Sequence, residues 1–183
     1  MNFCQHCGSN QISWEIPKGD HKPRHICLKC EVIFYENPRI IAGCLATHKG
    51  KILLCKRAIE PRRGYWTLPA GFLENGETIQ QGAERETWEE AEARVKPEGL
   101  YTIFNLIHIN QVYMFYRGQL IDGQYGAGCE TLEAKLFSPD EIPWEDLAFP
   151  TIYQTLKFFI GDLKTGQFPQ RIETIDRNPQ KPR

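Results

Sequence analysis

At 183 residues, 41% hydrophobic and 25% charged, the chain can bury one substantial core and a small additional module. Its formal net charge of −1 provides no basic footprint and argues against sequence-independent nucleic-acid binding. No apolar run reaches membrane-spanning length and no signal peptide precedes Cys4, so no membrane partner is expected and a reducing cytoplasm is the expected compartment.

In chain order, the first feature is Cys4-Gln5-His6-Cys7 followed by Cys27-Leu28-Lys29-Cys30, two C-x2-C knuckles around a short, polar, hairpin-like stretch. Four thiolates complete a tetrahedral Zn²⁺ shell and leave no open position, so the predicted zinc ribbon is structural. A redox pair or a disulfide framework is the alternative, although the odd count of seven cysteines disfavours a disulfide scaffold. His6 and His25 are expected bystanders. Gly8 suits a tight turn after the first knuckle, whereas Glu31 fits the matching place in the second less well. Glu36-Asn37-Pro38-Arg39 reads as a linker, because proline disfavours helix at Asn37. The expected division is a ribbon over 1–36, a main domain over 37–166 and a tail over 167–183.

Beyond the linker, the segments 40–47 and 51–57, joined by His48-Lys49-Gly50, read as a hairpin. Cys44 and Cys55 lie in these apolar runs and are expected as buried small residues, not nucleophiles. Arg57, Arg62 and Arg63 precede Trp66; Arg57 is the preferred phosphate-neutralising candidate, while Arg62 and Arg63 are read first as a solvated loop and Trp66 as a core or hinge aromatic. Further strands are predicted over 100–107, 111–119 and 133–137. Phe104, His108, Gln111 and Tyr113 stand near a strand turn where a base or flavin ring could bind, or belong to the core. Ile152, Leu156, Phe159, Ile160 and Leu163 repeat at helical spacing after Pro150, with Gly166 as the stop. Strands with two helices predict an α/β sandwich, an α+β chain when the ribbon is included. The proline- and charge-rich end, 178–183, is expected to be mobile.

The densest signal is GFLENGETIQQGAERETWEEAEA, from Gly71 to Ala93. Thr78 and Gln81 form a predicted capping box. At about 100° per residue, Glu86, Glu89 and Glu90 share one helix side with Ile79 and Ala83, where an amphipathic helix turns toward its core. Two carboxylates about 5 Å apart at an effective dielectric near 20 repel by roughly 3 kcal/mol, so an inward arrangement implies a counter-cation. Hard oxygen ligands suit Mg²⁺ or Mn²⁺. The competing explanation is an ordinary solvated charged helix.

This segment resembles the Nudix hydrolase signature, G-x5-E-x7-R-E-U-x-E-E-x-G-U, through Gly71, Glu77, Arg85, Glu86, Glu89 and Glu90. Glu92 stands where the signature has glycine, and a left-handed Glu costs on the order of 1 kcal/mol, so a longer or differently ended helix is expected. The segments ENPRIIAGCL, ILLCKRAIEPRRGYWTLPAGF and DEIPWEDLAFPTIY are similar to a zinc-ribbon-containing branch that includes bacterial Nudix proteins and the chloroplast FAD pyrophosphatase. The resemblance implies a Nudix α/β/α sandwich and metal-dependent hydrolysis of a nucleoside diphosphate linked to another group, with FAD or ADP-ribose as substrate. It implies metal binding by Glu86, Glu89, Glu90 and the Ala70 carbonyl, and an Arg85–Glu77 pair that orients the helix. The general base is then Glu86, Glu89 or an outside carboxylate, for which Glu130 is the candidate unless it is an exposed loop acid. The sequence itself is silent on oligomeric state; Nudix enzymes are often homodimers, so the resemblance leaves a homodimer open. An NADH pyrophosphatase and a non-catalytic nucleotide sensor using the ribbon as an interaction module remain alternatives.

Overall fold

The computed structural model describes residues 1–176. The chain divides into two compact units, Met1–Asn37 and a second beginning at Pro38. In the first, β1 (Ile12–Glu15), β2 (Arg24–Cys27) and β3 (Ile33–Phe34) form an antiparallel three-stranded sheet.

The second unit is built on β4 (Arg39–His48), whose ten residues alternate between two cores. Ala42, Cys44 and Ala46 face one side; Leu45 faces the other. The neighbouring β5 (Lys51–Arg57) alternates in the same way, with Leu53 and Cys55 on the first side and Ile52 and Leu54 on the second. This period-two pattern, apolar on both faces, requires a layer on each side. Two helices provide those layers.

The small side chains of β4 admit α1 (Ile79–Ala91), which contributes Ala83 and Ala91 to the first core. The larger residues meet α2 (Pro150–Leu163), which contributes Ile152, Leu156 and Phe159 to the second. Each of these three buried side chains stabilises the fold by about 1.5–3 kcal/mol. Pro150 opens α2, where its missing N–H costs nothing. Cys44 and Cys55 are fully enclosed, and burial raises both thiols out of the reactive range.

The remaining strands are β6 (Trp66–Thr67), β7 (Ala70–Phe72), β8 (Val95–Leu106), β9 (Gln111–Leu120), β10 (Thr131–Phe137) and β11 (Arg171–Thr174). The sheet runs β10-β5-β4-β9-β8-β11, with β6 on β5 and β7 on β4. The β4–β9 and β8–β11 pairs are parallel. The fold is therefore α+β, a mixed sheet between two helices.

Several expectations change. β8 begins at Val95 instead of Leu100; Pro97 obscured its start and sits beside a register shift that accommodates it. β6 and β7 lie where no strand was expected, too short for an alternating pattern. β11 lies in the expected tail, and the segment 178–183 lies outside the described residues. Of the longer or differently ended helix expected, the longer form is not found: α1 ends at Ala91 and Glu92 itself adopts the left-handed conformation, with φ 47° and ψ 30°. The last turn is closed externally, by Gly126 N–H to Ala91 O at 2.7 Å and Gly128 N–H to Glu90 O at 3.1 Å. Glu31 shows the same tolerance after the second cysteine knuckle, at φ 61° against 71° for Gly8.

Among the described residues no helix is long and apolar enough to cross a membrane.

Candidate metal centre and nucleotide pocket

In the first unit, Cys4, Cys7, Cys27 and Cys30 place their sulfurs within 4.8 Å of one another. The Cys4–Cys30 and Cys7–Cys27 sulfurs are 3.6 Å apart. Four Zn–S bonds of about 2.3 Å at tetrahedral angles require sulfurs about 3.8 Å apart, so the cage fits one Zn²⁺. Burial works against the Cys27 thiolate, but the backbone N–H groups of Cys30 and Lys29 bring its pKa down to about 6. His6 and His25 are outside this set.

In the second unit, one cavity of about 920 Å³ collects residues from both helices and the sheet. α1 contributes Glu86, Glu89 and Glu90 to its acidic part, beside Glu60, Glu74 and Glu130 from loops. The capping box forms, with Gln81 N–H to Thr78 Oγ1 at 3.2 Å and Thr78 N–H to Gln81 Oε1 at 2.8 Å, and fixes the start of the helix. Eight residues after Glu77, Arg85 fastens the helix to the preceding loop. Its Nε and Nη2 donate to Glu77 at 3.0 and 2.7 Å, and Nη2 also reaches the Phe72 carbonyl at 3.0 Å. Nη1 donates to Glu86 at 2.7 Å and Glu89 at 3.0 Å. The Arg85 guanidinium, then the Glu74 N–H, bring the Glu77 carboxyl down to about 2.

Glu86 and Glu90 are buried, whereas Glu89 is about half exposed. Burial raises the Glu86 carboxyl despite Arg85, and pushes Glu90 up to about 8 despite an N–H from Ala70 at 3.2 Å. Glu130 adds to both shifts, and the Arg57 cation opposes that of Glu90. Gly71 permits this packing, because a Cβ there would fall on the Glu86 carboxylate. The glutamates do not converge as the thiols do: among the described residues, only the four cysteines gather three or more such ligand atoms within 4.8 Å. Two of the carboxylates are instead joined through Arg85.

Glu130 lies just before β10, exposed, on the wall of the same cavity. Its loop is docked on α1 by the Gly126 and Gly128 hydrogen bonds, and a Cβ at Gly128 would collide with the Glu89 carbonyl. Arg57 also lines the cavity, its Nε on the Pro61 carbonyl at 2.9 Å and its guanidinium 5.2 Å from the Phe149 ring centre. His108, Gln111 and Tyr113 line it too, whereas Phe104 and Trp66 belong to the core. Phe149, Ile152 and Ile175 were not anticipated as lining residues. The Phe149-Pro150 step before an apolar helix was a usable signal for the first; Ile175 follows a short polar strand and left none.

The NUDIX domain family model matches residues 37–157, about two thirds of the chain. The chain belongs to the Nudix family. A zinc-ribbon model described as Nudix N-terminal matches residues 2–36. A solved NUDIX hydrolase from Nitrosomonas europaea is 49% identical, covering 97% of this chain and 100% of that one at a TM-score of 0.93. The NAD-capped RNA hydrolase NudC of Chromobacterium violaceum is 35% identical over 95 residues, 51% of this chain and 33% of that protein. An ADP-ribose pyrophosphatase of Methanocaldococcus jannaschii is 29% identical over 115 residues, 60% of this chain and 67% of that protein. The Nudix chain described here thus spans about a third of the length of the NudC relative.

Proposed function

We propose that this Nudix protein hydrolyses the diphosphate linkage of a nucleoside diphosphate bonded to a second group. FAD, giving FMN and AMP, and ADP-ribose, giving AMP and ribose 5-phosphate, are the favoured substrates. The observation that carries the proposal is a single cavity joining the α1 carboxylates to an apolar wall of Leu106, Tyr113, Phe149 and Ile152. One part suits a metal-bound diphosphate and the other a ring.

In this proposal Glu86, Glu89, Glu90 and the Ala70 carbonyl hold Mg²⁺ or Mn²⁺. The donors are hard oxygens, and the buried Glu86 and Glu90 favour a cation that offsets their charge. The bound cation supplies neutralisation of the diphosphate and a more acidic water. Arg85, anchored by Glu77, orients the helix and the Glu86 and Glu89 carboxylates. Glu86, Glu89 or Glu130 accepts the proton of the attacking water. Arg57, on the wall of the same cavity and against Phe149, pairs with a phosphate oxygen.

The similarity to an ADP-ribose pyrophosphatase supports the ADP-ribose form of the proposal. The similarity to NAD-capped RNA hydrolases favours a second form, an NADH pyrophosphatase. The test compares kcat/KM for FAD, ADP-ribose, NADH and CoA with Mg²⁺ or Mn²⁺. A maximum for FAD or ADP-ribose is expected, and a maximum for NADH selects the second form. Hydrolysis of none of them overturns the proposal in favour of a non-catalytic nucleotide sensor.

A further inference from the structure

The NUDIX match ends at residue 157, but the cavity wall continues to Ile175. β11 carries the chain there. It pairs in parallel with β8, from Arg171 opposite Thr102 to Thr174 opposite Asn105, and the Ile175 N–H continues the ladder to the Asn105 carbonyl at 2.9 Å. The next β8 residue, Leu106, lines the cavity with Ile175. An edge strand of four residues, three of them exposed, has little holding power of its own. Core packing by Phe168 before it and Ile175 after it helps to hold it, and its first residue adds a polar attachment.

Arg171 makes a two-pronged contact with Asp162 of α2, at 2.6 Å from each guanidinium nitrogen, and reaches the Tyr101 hydroxyl at 3.2 Å. Tyr101 donates to the same Asp162 carboxylate at 2.6 Å. The guanidinium also lies 4.7 Å from the Phe158 ring centre. Asp162 and Tyr101 are buried, so this ion pair is shielded far better than an exposed one. It ties β11 to the helix whose first turn forms another part of the cavity wall.

We infer that β11 is a specificity element of the nucleotide pocket, in which the Arg171–Asp162–Tyr101 latch positions Ile175 against a planar ring of the substrate. Ile175 packs with the α2-side core, whereas the carboxylates come from α1, so its contact is with a ring and not with the diphosphate. Arg171 is a positioning residue acting through Ile175. This inference rests on the nucleotide-diphosphate reading above.

The experiment uses the full chain and measures KM and kcat for FAD and ADP-ribose, with calorimetric binding of the same nucleotides in Ca²⁺ as a readout independent of turnover. Ile175→Ala is expected to raise KM and Kd by roughly 5- to 10-fold with kcat changed less than about 2-fold, as expected for lost apolar contact with a ring. A rise shared by both substrates assigns the ring to adenine, and one confined to FAD assigns it to the flavin. Arg171→Ala should reproduce the pattern. Ile172→Ala, on the exposed side of the same strand, should not. Unchanged KM and Kd in Ile175→Ala overturn the inference even if Arg171→Ala misfolds. Normal hydrolysis with that result leaves the diphosphatase reading standing; ring-dependent binding without any hydrolysis removes that reading and keeps the pocket wall.

Discussion

Cys4, Cys7, Cys27 and Cys30 bring their sulfurs within 4.8 Å of one another, while Glu86, Glu89 and Glu90 do not gather and two of them lean on Arg85. The difference follows from charge. Thiols start from a higher ordinary pKa than carboxylates and are carried on local turns, here the left-handed residues Gly8 and Glu31 after each knuckle. Carboxylates that are buried side by side repel by several kcal/mol at short range, so they need a cation or a proton. Arg85 supplies the first for Glu86 and Glu89, whereas burial, with repulsion from Glu86 as a smaller cause, pushes the Glu90 carboxyl up to about 8. The thiol cluster joins two local turns that lie twenty or more residues apart, whereas Arg85 holds Glu86 and Glu89 from within the same helix and burial under the fold acts on Glu90.

The largest effect should come from the cysteines. Cys27→Ala is expected to abolish stoichiometric zinc, measured by atomic absorption, and to expose residues 1–37 to limited proteolysis. Structural zinc sites contribute about 10–16 kcal/mol of apparent binding energy at neutral pH. Retained zinc and protease resistance would remove the distinction between the two clusters.

Next is Gly71→Ala. Because its Cβ meets the Glu86 carboxylate, kcat should fall roughly 10- to 100-fold through misplacement alone. Manganese binding followed by electron paramagnetic resonance should weaken in parallel, whereas a silent substitution would place Glu86 outside the reaction.

The Glu77–Arg85 pair gives a pH signature. The folded-state pKa of Glu77 is about 2, below its usual 4.5, so its stabilisation is present above pH 4.5 and is lost as pH falls toward 2. Glu77→Gln should therefore lower Tm at neutral pH and flatten the acid limb of the Tm–pH curve. An acid limb as steep as that of the wild type would contradict this account of the pair.

The smallest effect concerns Glu92. Glycine removes the left-handed strain, so Glu92→Gly should stabilise by about 1 kcal/mol and raise Tm by about 2–4 °C. A lowered Tm would show that the Glu92 side chain contributes more than its backbone costs.

How much of this was legible in the sequence depended on how local the cause was. The knuckles, the capping box and the alternation of β4 and β5 are patterns of a few residues, and each is visible in the bare chain. The termination of α1 was not, since Gly126 and Gly128 close it from a loop more than thirty residues away. Glu130 could be named from its place before β10, but its approach to Glu86 and Glu90 depends on that same docked loop. β11 was illegible for a different reason. Its sequence, Arg-Ile-Glu-Thr, has no core pattern, and it is held by its ladder to β8, by flanking core contacts and by an ion pair to Asp162 nine residues earlier in the chain.

The most direct test of the central claim, that the α1 carboxylates carry metal-dependent diphosphate hydrolysis, is kcat for Glu90→Gln on the best wild-type substrate, measured alongside Tm. Loss of a metal ligand predicts a fall of at least ~100-fold with the fold retained. Near-normal turnover by the folded variant would contradict it.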